Sequence, residues 1–211
     1  MISKENTSKS FGLTIGYCMN KPERYEVIFC NGVSQEKKAM IKGFEIQATL
    51  NKRVKKPVLH ILLSHSPDDT GKIKGREMEI IDEWMSEMKR QKGFDLLSTQ
   101  FAIIKHKDRD HIHYHIVANM ITNSGKRLNI DYIGLKMKDI SKEITKRYGL
   151  TPAVKREYQN AVMAHGYQIK PGIKRAIYDL QKINRTGKSD DDGIIAIDKL
   201  IPNHGKKGFS I

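Results

Sequence analysis

Three features of this 211-residue chain predict an α/β fold of the α+β kind, a central antiparallel sheet with helices packed on it. Residues 101–120 read as two strands joined by a charged turn, rich in histidine. Residues 58–64, opened by Pro57, form an apolar run of the length and continuity expected of a covered central strand. Residues 77–91 and 132–148 place apolar side chains three and four apart, the spacing of a helix with one buried face.

Composition narrows the function classes. Lys and Arg number 38 against 24 Asp and Glu, a net charge of +14, which favours a polyanionic partner, nucleic acid being the commonest. Hydrophobic residues make up 38% of the chain, enough for a core, and no run approaches the ~18 apolar residues of a membrane span, so no membrane insertion is expected. The first ten residues lack the apolar core of a secretory signal. Two cysteines, Cys18 and Cys30, are too few for a disulfide framework and fit a reducing cytoplasm.

In chain order, residues 8–20 allow two readings. Phe11, Leu13, Ile15 and Tyr17 alternate as in a strand, whereas Phe11, Ile15, Cys18 and Met19 fit a helical face that Gly12 and Gly16 weaken by ~1 kcal/mol each. Residues 24–30, with Tyr25 near their start, read as a short strand closed by the turn Asn31-Gly32. Residues 34–51 read as a helix capped by Ser34, with Met40, Ile41, Phe44 and Ala48 as its buried stripe. Lys52, Arg53, Lys55 and Lys56 follow, as compensation of the helix dipole or as a grip on phosphates. In the apolar strand, His60 and Ser64 share a face by period two, and residues 67–71 make a turn.

The helix at 77–91 buries Met78, Ile81, Trp84, Met85 and Met88 as core, and Gly93 ends it. A turn at 123–125 leads to the basic helix 132–148, for which Gly149 is the C-cap. Two short basic helices are expected at about 153–164 and 172–184, then an exposed loop at 188–193 and a mobile ending.

The chemistry concentrates in residues 101–120. The strand 101–105 runs into His106, residues 107–110 form the turn, and from His111 polar and apolar residues alternate, setting His111, His113 and His115 on one face. One strand histidine is usually an ordinary surface or core residue. Imidazoles converging from both arms of a hairpin have the types and spacing of a transition-metal site. Three neutral imidazoles suit Mn²⁺, Zn²⁺, Ni²⁺ or Co²⁺; Mg²⁺ prefers oxygen, yet an open site completed by phosphate and water admits it.

The run His106-Lys-Asp108-Arg-Asp110-His-Ile-His113-Tyr-His115 resembles HxDxDxxHxH, the third motif of relaxases, the DNA-nicking mobilisation proteins of plasmids and integrative elements. The resemblance implies that His106, His113 and His115 hold a divalent metal, Mn²⁺ or Mg²⁺ first, with His111 a fourth, non-ligating histidine. Residues 10–18 resemble the family's early helix, of the form S-F-x-x-x-x-x-Y-hydrophobe, which implies a helix and makes Tyr17 the nucleophile and Tyr25 the runner-up. Residues 58–64 resemble the second motif, an apolar strand ending in serine, which implies that Ser64 contacts DNA beside the scissile phosphate. Asp108 and Asp110 are candidates to orient a ligand histidine or assist proton removal, and Lys55, Lys56, Lys105 and Arg109 to contact phosphates.

The resemblance further implies nicking and rejoining of single-stranded DNA at an origin of transfer through a 5′-phosphotyrosyl link, in a bacterial cytoplasm, with accessory relaxosome proteins and a coupling protein as partners. It spans residues 1–150, leaving 151–211 as a helical extension with a mobile tail. Two other readings use the same residues. A rolling-circle replication initiator of the same superfamily carries its tyrosine after the histidines, where Tyr148 and Tyr158 stand; a non-catalytic module uses the histidines for a structural metal.

Overall fold

The computed structural model of the chain describes residues 1–20, 22–106 and 111–152. Five antiparallel strands form one sheet: β1 (Ile2–Ser8), β2 (Tyr25–Asn31), β3 (Val58–Ser64), β4 (Thr99–His106) and β5 (His113–Thr122), in the order β1-β3-β5-β4-β2. The histidine hairpin is β4–β5, with β5 in the middle of the sheet. Alternation along the strands divides the core in two. Leu59, Ile61, Leu63, Phe101, Ile103, Tyr114 and Ile116 pack under α4 (Glu77–Lys92) and α5 (Ile133–Arg147), which supply Ile80, Trp84, Met88, Ile140 and Ile144. On the other face Val58, Ala102, Ile104 and Val117 meet Phe11, Ile15 and Cys18 of α1 (Phe11–Cys18) and Met40 and Phe44 of α2 (Lys37–Ala48). Helix, sheet and helix therefore stack as three layers.

Helix α1 resolves the ambiguous segment. Phe11, Thr14, Ile15 and Cys18, at the i, i+3, i+4, i+7 positions, are its buried residues, and the Ser10 hydroxyl accepts from the Leu13 N–H as N-cap. That buried face and cap offset the cost of Gly12 and Gly16. Phe11 stacks on Phe44 at 4.8 Å between centroids, and Lys37 Nζ donates to the Met19 carbonyl at 3.0 Å, so α2 holds α1 from both ends.

Four details differ from the sequence expectations. Residues 2–8 are a strand the sequence reading lacked: β1 lies at the sheet edge with Ser3 its only buried residue, so no alternation marks it. Helix α2 begins at Lys37 with Glu36 as cap, because the Glu36 carboxylate accepts from both Lys38 and Ala39 N–H groups while Ser34 accepts from Glu36. The turn at 67–71 is a 3₁₀ turn (Pro67–Asp69) leading into the short α3 (Thr70–Ile73). Strand β5 begins at His113, not His111, because pairing with β4 opens at His106↔His113. The helices expected at 153–164 and 172–184, the loop at 188–193 and the ending lie outside the described residues.

Gly93, at φ 65°, and Gly149, at φ 59°, end α4 and α5 in the left-handed conformation that glycine adopts at least cost. The Met and Trp stripe of α4 is core, with the Trp84 indole donating to Ser141 of α5 at 3.3 Å.

His65, just past β3, is 4% exposed, and neither ring nitrogen has a hydrogen-bond partner among the described residues; its ring stands edge-on to Tyr114 at 5.9 Å. Burial first, then the nearby Met1 ammonium, pull its pKa down to about 4, against an opposing pull from Asp69. The unfolded chain protonates this imidazole near 6.5, so unfolding takes up a proton between about pH 6.5 and about pH 4, and stability falls as pH drops through that window. The loss attributable to His65 is about 3 kcal/mol, and His65→Phe is expected to remove most of it. Urea melts of both proteins from pH 7 to pH 4 check this; an unchanged acid limb in the variant overturns it.

Candidate active site

The hairpin register sets three imidazoles together. His106 pairs directly with His113 across β4–β5, and His115, two residues on, lies opposite Ile104 and Leu62 on the same face. All three are buried, their ring centroids are 4.2 to 5.3 Å apart, and their candidate ligand atoms lie within 4.8 Å of one another.

Each ring is held by one of its nitrogens. His106 Nε2–H donates to the Cys18 carbonyl at 2.7 Å, His113 Nδ1–H donates to the His111 carbonyl at 3.3 Å, and His115 Nδ1 lies 2.8 Å from His60 Nε2. A carbonyl only accepts, so the first two tautomers follow from their partners; the His60–His115 contact holds one proton between its two ring nitrogens. A metal held by the set would take the nitrogen of each ring that lies opposite these contacts, Nδ1 of His106 and Nε2 of His113 and His115. Three neutral imidazoles, each oriented through its second nitrogen, fit a divalent transition metal. His111 precedes the strand, with its ring 5.4 Å from that of His113, and supports the set through its carbonyl.

Tyr17 stands beside this cluster. Its ring is edge-on to His115 at 5.8 Å and to His60 at 6.4 Å between centroids, and the residue is 59% exposed. Cys18, next in the chain, carries the carbonyl that holds His106, so the tyrosine helix and the histidine hairpin are tied by one hydrogen bond. A cleft of about 370 Å³ opens at Tyr17 and His60, walled by Ser8, Lys9, Ser10 and Leu13. A larger cleft, about 570 Å³, lies between β1 and the start of α5 and is lined by no histidine or cysteine; size does not locate the chemistry here.

Ser64, half-buried, pairs directly with His113 and shares its face. Tyr25 pairs directly with His106 and packs, half-buried, against the α1–α2 core. Lys105 lies on the opposite face, with Nζ 2.7 Å from the Glu77 carboxylate. Lys55 and Lys56, both exposed, precede β3 at its far end, ~20 Å of strand away from Ser64. Asp108, Arg109 and Asp110 lie outside the described residues.

Two residues of the cluster were not expected from sequence. In the sequence His60 stands out only by sharing a face with Ser64, and Cys18 only by its place on a helical face and as one of two cysteines. In the fold Cys18 Sγ is 3.8 Å from His60 Nε2, and burial pushes the thiol pKa up to about 12. Period two along β3, with His60 four residues before Ser64, was the one available signal.

A family model described as the nuclease domain of MobA/VirD2-like relaxases matches residues 17–150. Among solved structures, the metal-bound conjugative relaxase TrwC in complex with oriT DNA is similar at 12% identity and a TM-score of 0.41, over 100% of this chain and 93% of that one. The metal-free TrwC complex with oriT DNA is similar at 14% identity and 0.40, over 98% and 86%. No curated protein matches.

Proposed function

The chain belongs to the MobA/VirD2-like relaxases, matching their nuclease domain, and from that premise we propose that it nicks and rejoins one strand at an origin of transfer, with Tyr17 as nucleophile. The observation that carries this reading is the Tyr17 ring, solvent-accessible and 5.8 Å from His115, at the edge of a three-histidine cluster.

In this reading the Tyr17 oxygen attacks phosphorus, the bond to the 3′ oxygen breaks, and the leaving 3′-hydroxyl gains a proton. The 5′ end remains as a phosphotyrosine, and because the phosphodiester energy is retained the same hydroxyl can reverse the step. A divalent cation held by His106, His113 and His115 supplies stabilisation of the charge that builds on the non-bridging oxygens. The chain's own residues orient that set through the Cys18 and His111 carbonyls and His60. Ser64, which pairs with His113, would contact the strand, and Asp108 and Asp110, between His106 and His113 in sequence, would assist proton removal. Residues 1–150 are taken as the nuclease core. Relaxosome accessory proteins and a coupling protein belong to the same reading.

The deciding experiment incubates the chain with Mn²⁺ and single-stranded oligonucleotides spanning candidate origins of transfer, then identifies any DNA-linked peptide. A link at Tyr17, lost on chelation, is expected. Linkage at Tyr148 or Tyr158 favours the replication-initiator reading; metal binding with no cleavage favours a structural site. Among the described residues, Tyr148 donates to Glu79 and Glu83 on the α4–α5 face, away from the histidines, which does not support its use.

Binding carries a separate expectation. With a net charge of +14, oligonucleotide affinity should fall steeply with salt, the logarithmic slope being about −0.7 per phosphate neutralised. Fluorescence anisotropy at several salt concentrations measures it, and a flat response argues against nucleic acid as the partner.

A further inference from the structure

We propose that Cys18, His60 and His115 form a second metal site, selective for a thiophilic divalent cation of the zinc class, whose occupation withdraws His115 from the three-histidine set and so inhibits nicking. Cys18 Sγ lies 3.8 Å from His60 Nε2, and that nitrogen lies 2.8 Å from His115 Nδ1; the three ligand atoms fall within 4.8 Å of one another. One thiolate and two imidazoles are a zinc donor set, with a further position left for solvent. The softer sulfur favours zinc-like ions over Mn²⁺ and Mg²⁺, which suit harder ligands.

The two sites compete through one ring. A neutral imidazole has one in-plane lone pair, on the nitrogen without the proton. When His115 serves the three-histidine set it ligates through Nε2 and keeps its proton on Nδ1, toward His60. To serve the second site it ligates through Nδ1 and carries the proton on Nε2, so it can no longer ligate beside His106 and His113. Binding a zinc-class ion also displaces the Cys18 thiol proton to solvent as the metal–sulfur bond forms. Ion entry has a route, since half-buried His60 lines the cleft shared with Tyr17. The device sits under the proposed nucleophile and is independent of whether Tyr17 performs the chemistry.

Cobalt tests it, because thiolate ligation adds a near-ultraviolet charge-transfer absorption that imidazole ligation lacks. The protein with Cys30→Ser, which removes the other thiol, is titrated with Co²⁺. The charge-transfer band is expected, saturating with one equivalent. Adding Cys18→Ser or Cys18→Ala should abolish the band while visible cobalt absorption from the three histidines persists, and His60→Phe should weaken cobalt binding in the band at least tenfold. In nicking assays with Mn²⁺, the zinc concentration that halves activity should rise at least tenfold in Cys18→Ser. No band in the parent protein, or a band that survives both Cys18 substitutions, overturns the proposal. A band without any nicking leaves the metal site standing and rejects the proposed nuclease reaction, so the two failures are distinguishable.

Discussion

Tyr17→Phe is expected to form no covalent DNA adduct and to lose nicking by at least about 10⁴-fold, the scale seen when a catalytic nucleophile is removed. The substitution deletes one oxygen and keeps the ring. Tyr17 is 59% exposed, and its helix is held by Phe11, Thr14, Ile15 and Cys18 rather than by the phenol. Folding, metal affinity and oligonucleotide affinity should therefore stay near those of the parent. Tyr25→Phe is the informative control, because Tyr25 pairs with His106 and lies within the same part of the sheet. That variant should still form the adduct, with some loss of stability from its packing against the α1–α2 core. Denaturing gels with end-labelled oligonucleotide decide between them. An adduct in Tyr17→Phe together with none in Tyr25→Phe would transfer the role to Tyr25.

His106→Ala, His113→Ala and His115→Ala are each expected to weaken binding of Mn²⁺ by more than about 100-fold and to stop metal-dependent nicking. Each removes one of three donors, a larger loss than the 10–100-fold typical of an outer partner. His111→Ala should keep most of both, since its contribution to the cluster is a backbone carbonyl that alanine retains. The three ligand variants also leave a cavity in a buried region, so thermal melts without metal separate loss of fold from loss of ligation. Isothermal titration calorimetry measures the affinities. Essential His111 with dispensable His106 would overturn the ligand set.

Much of the fold was legible because it is periodic. The Met and Trp stripe of α4 and the apolar run of β3 are written in local spacing, and the glycines after α4 and α5 mark their ends. Strand β1 was not legible. Its residues, ISKENTS, are polar after Ile2, and its pairing depends on partners fifty or more positions away. The 8–20 segment carried both periods at once, and only packing against Phe44 and the β3–β4–β5 face selects the helix.

For the site, the sequence by itself determined the donor types, the pairing of His106 with the His113–His115 arm, and the basic charge. A hairpin converts short spacing directly into proximity, so those follow without the rest of the chain. The tertiary structure alone supplied polar partners for two of the rings, because they come from distant elements: Cys18 lies 88 residues from His106, and His60 lies 55 from His115. It also brought Tyr17 to His115, paired Lys105 with Glu77, and set Cys18 beside His60. Orientation of a ring depends on hydrogen-bond partners, and partners across a sheet are chosen by topology, which no local pattern in the chain encodes.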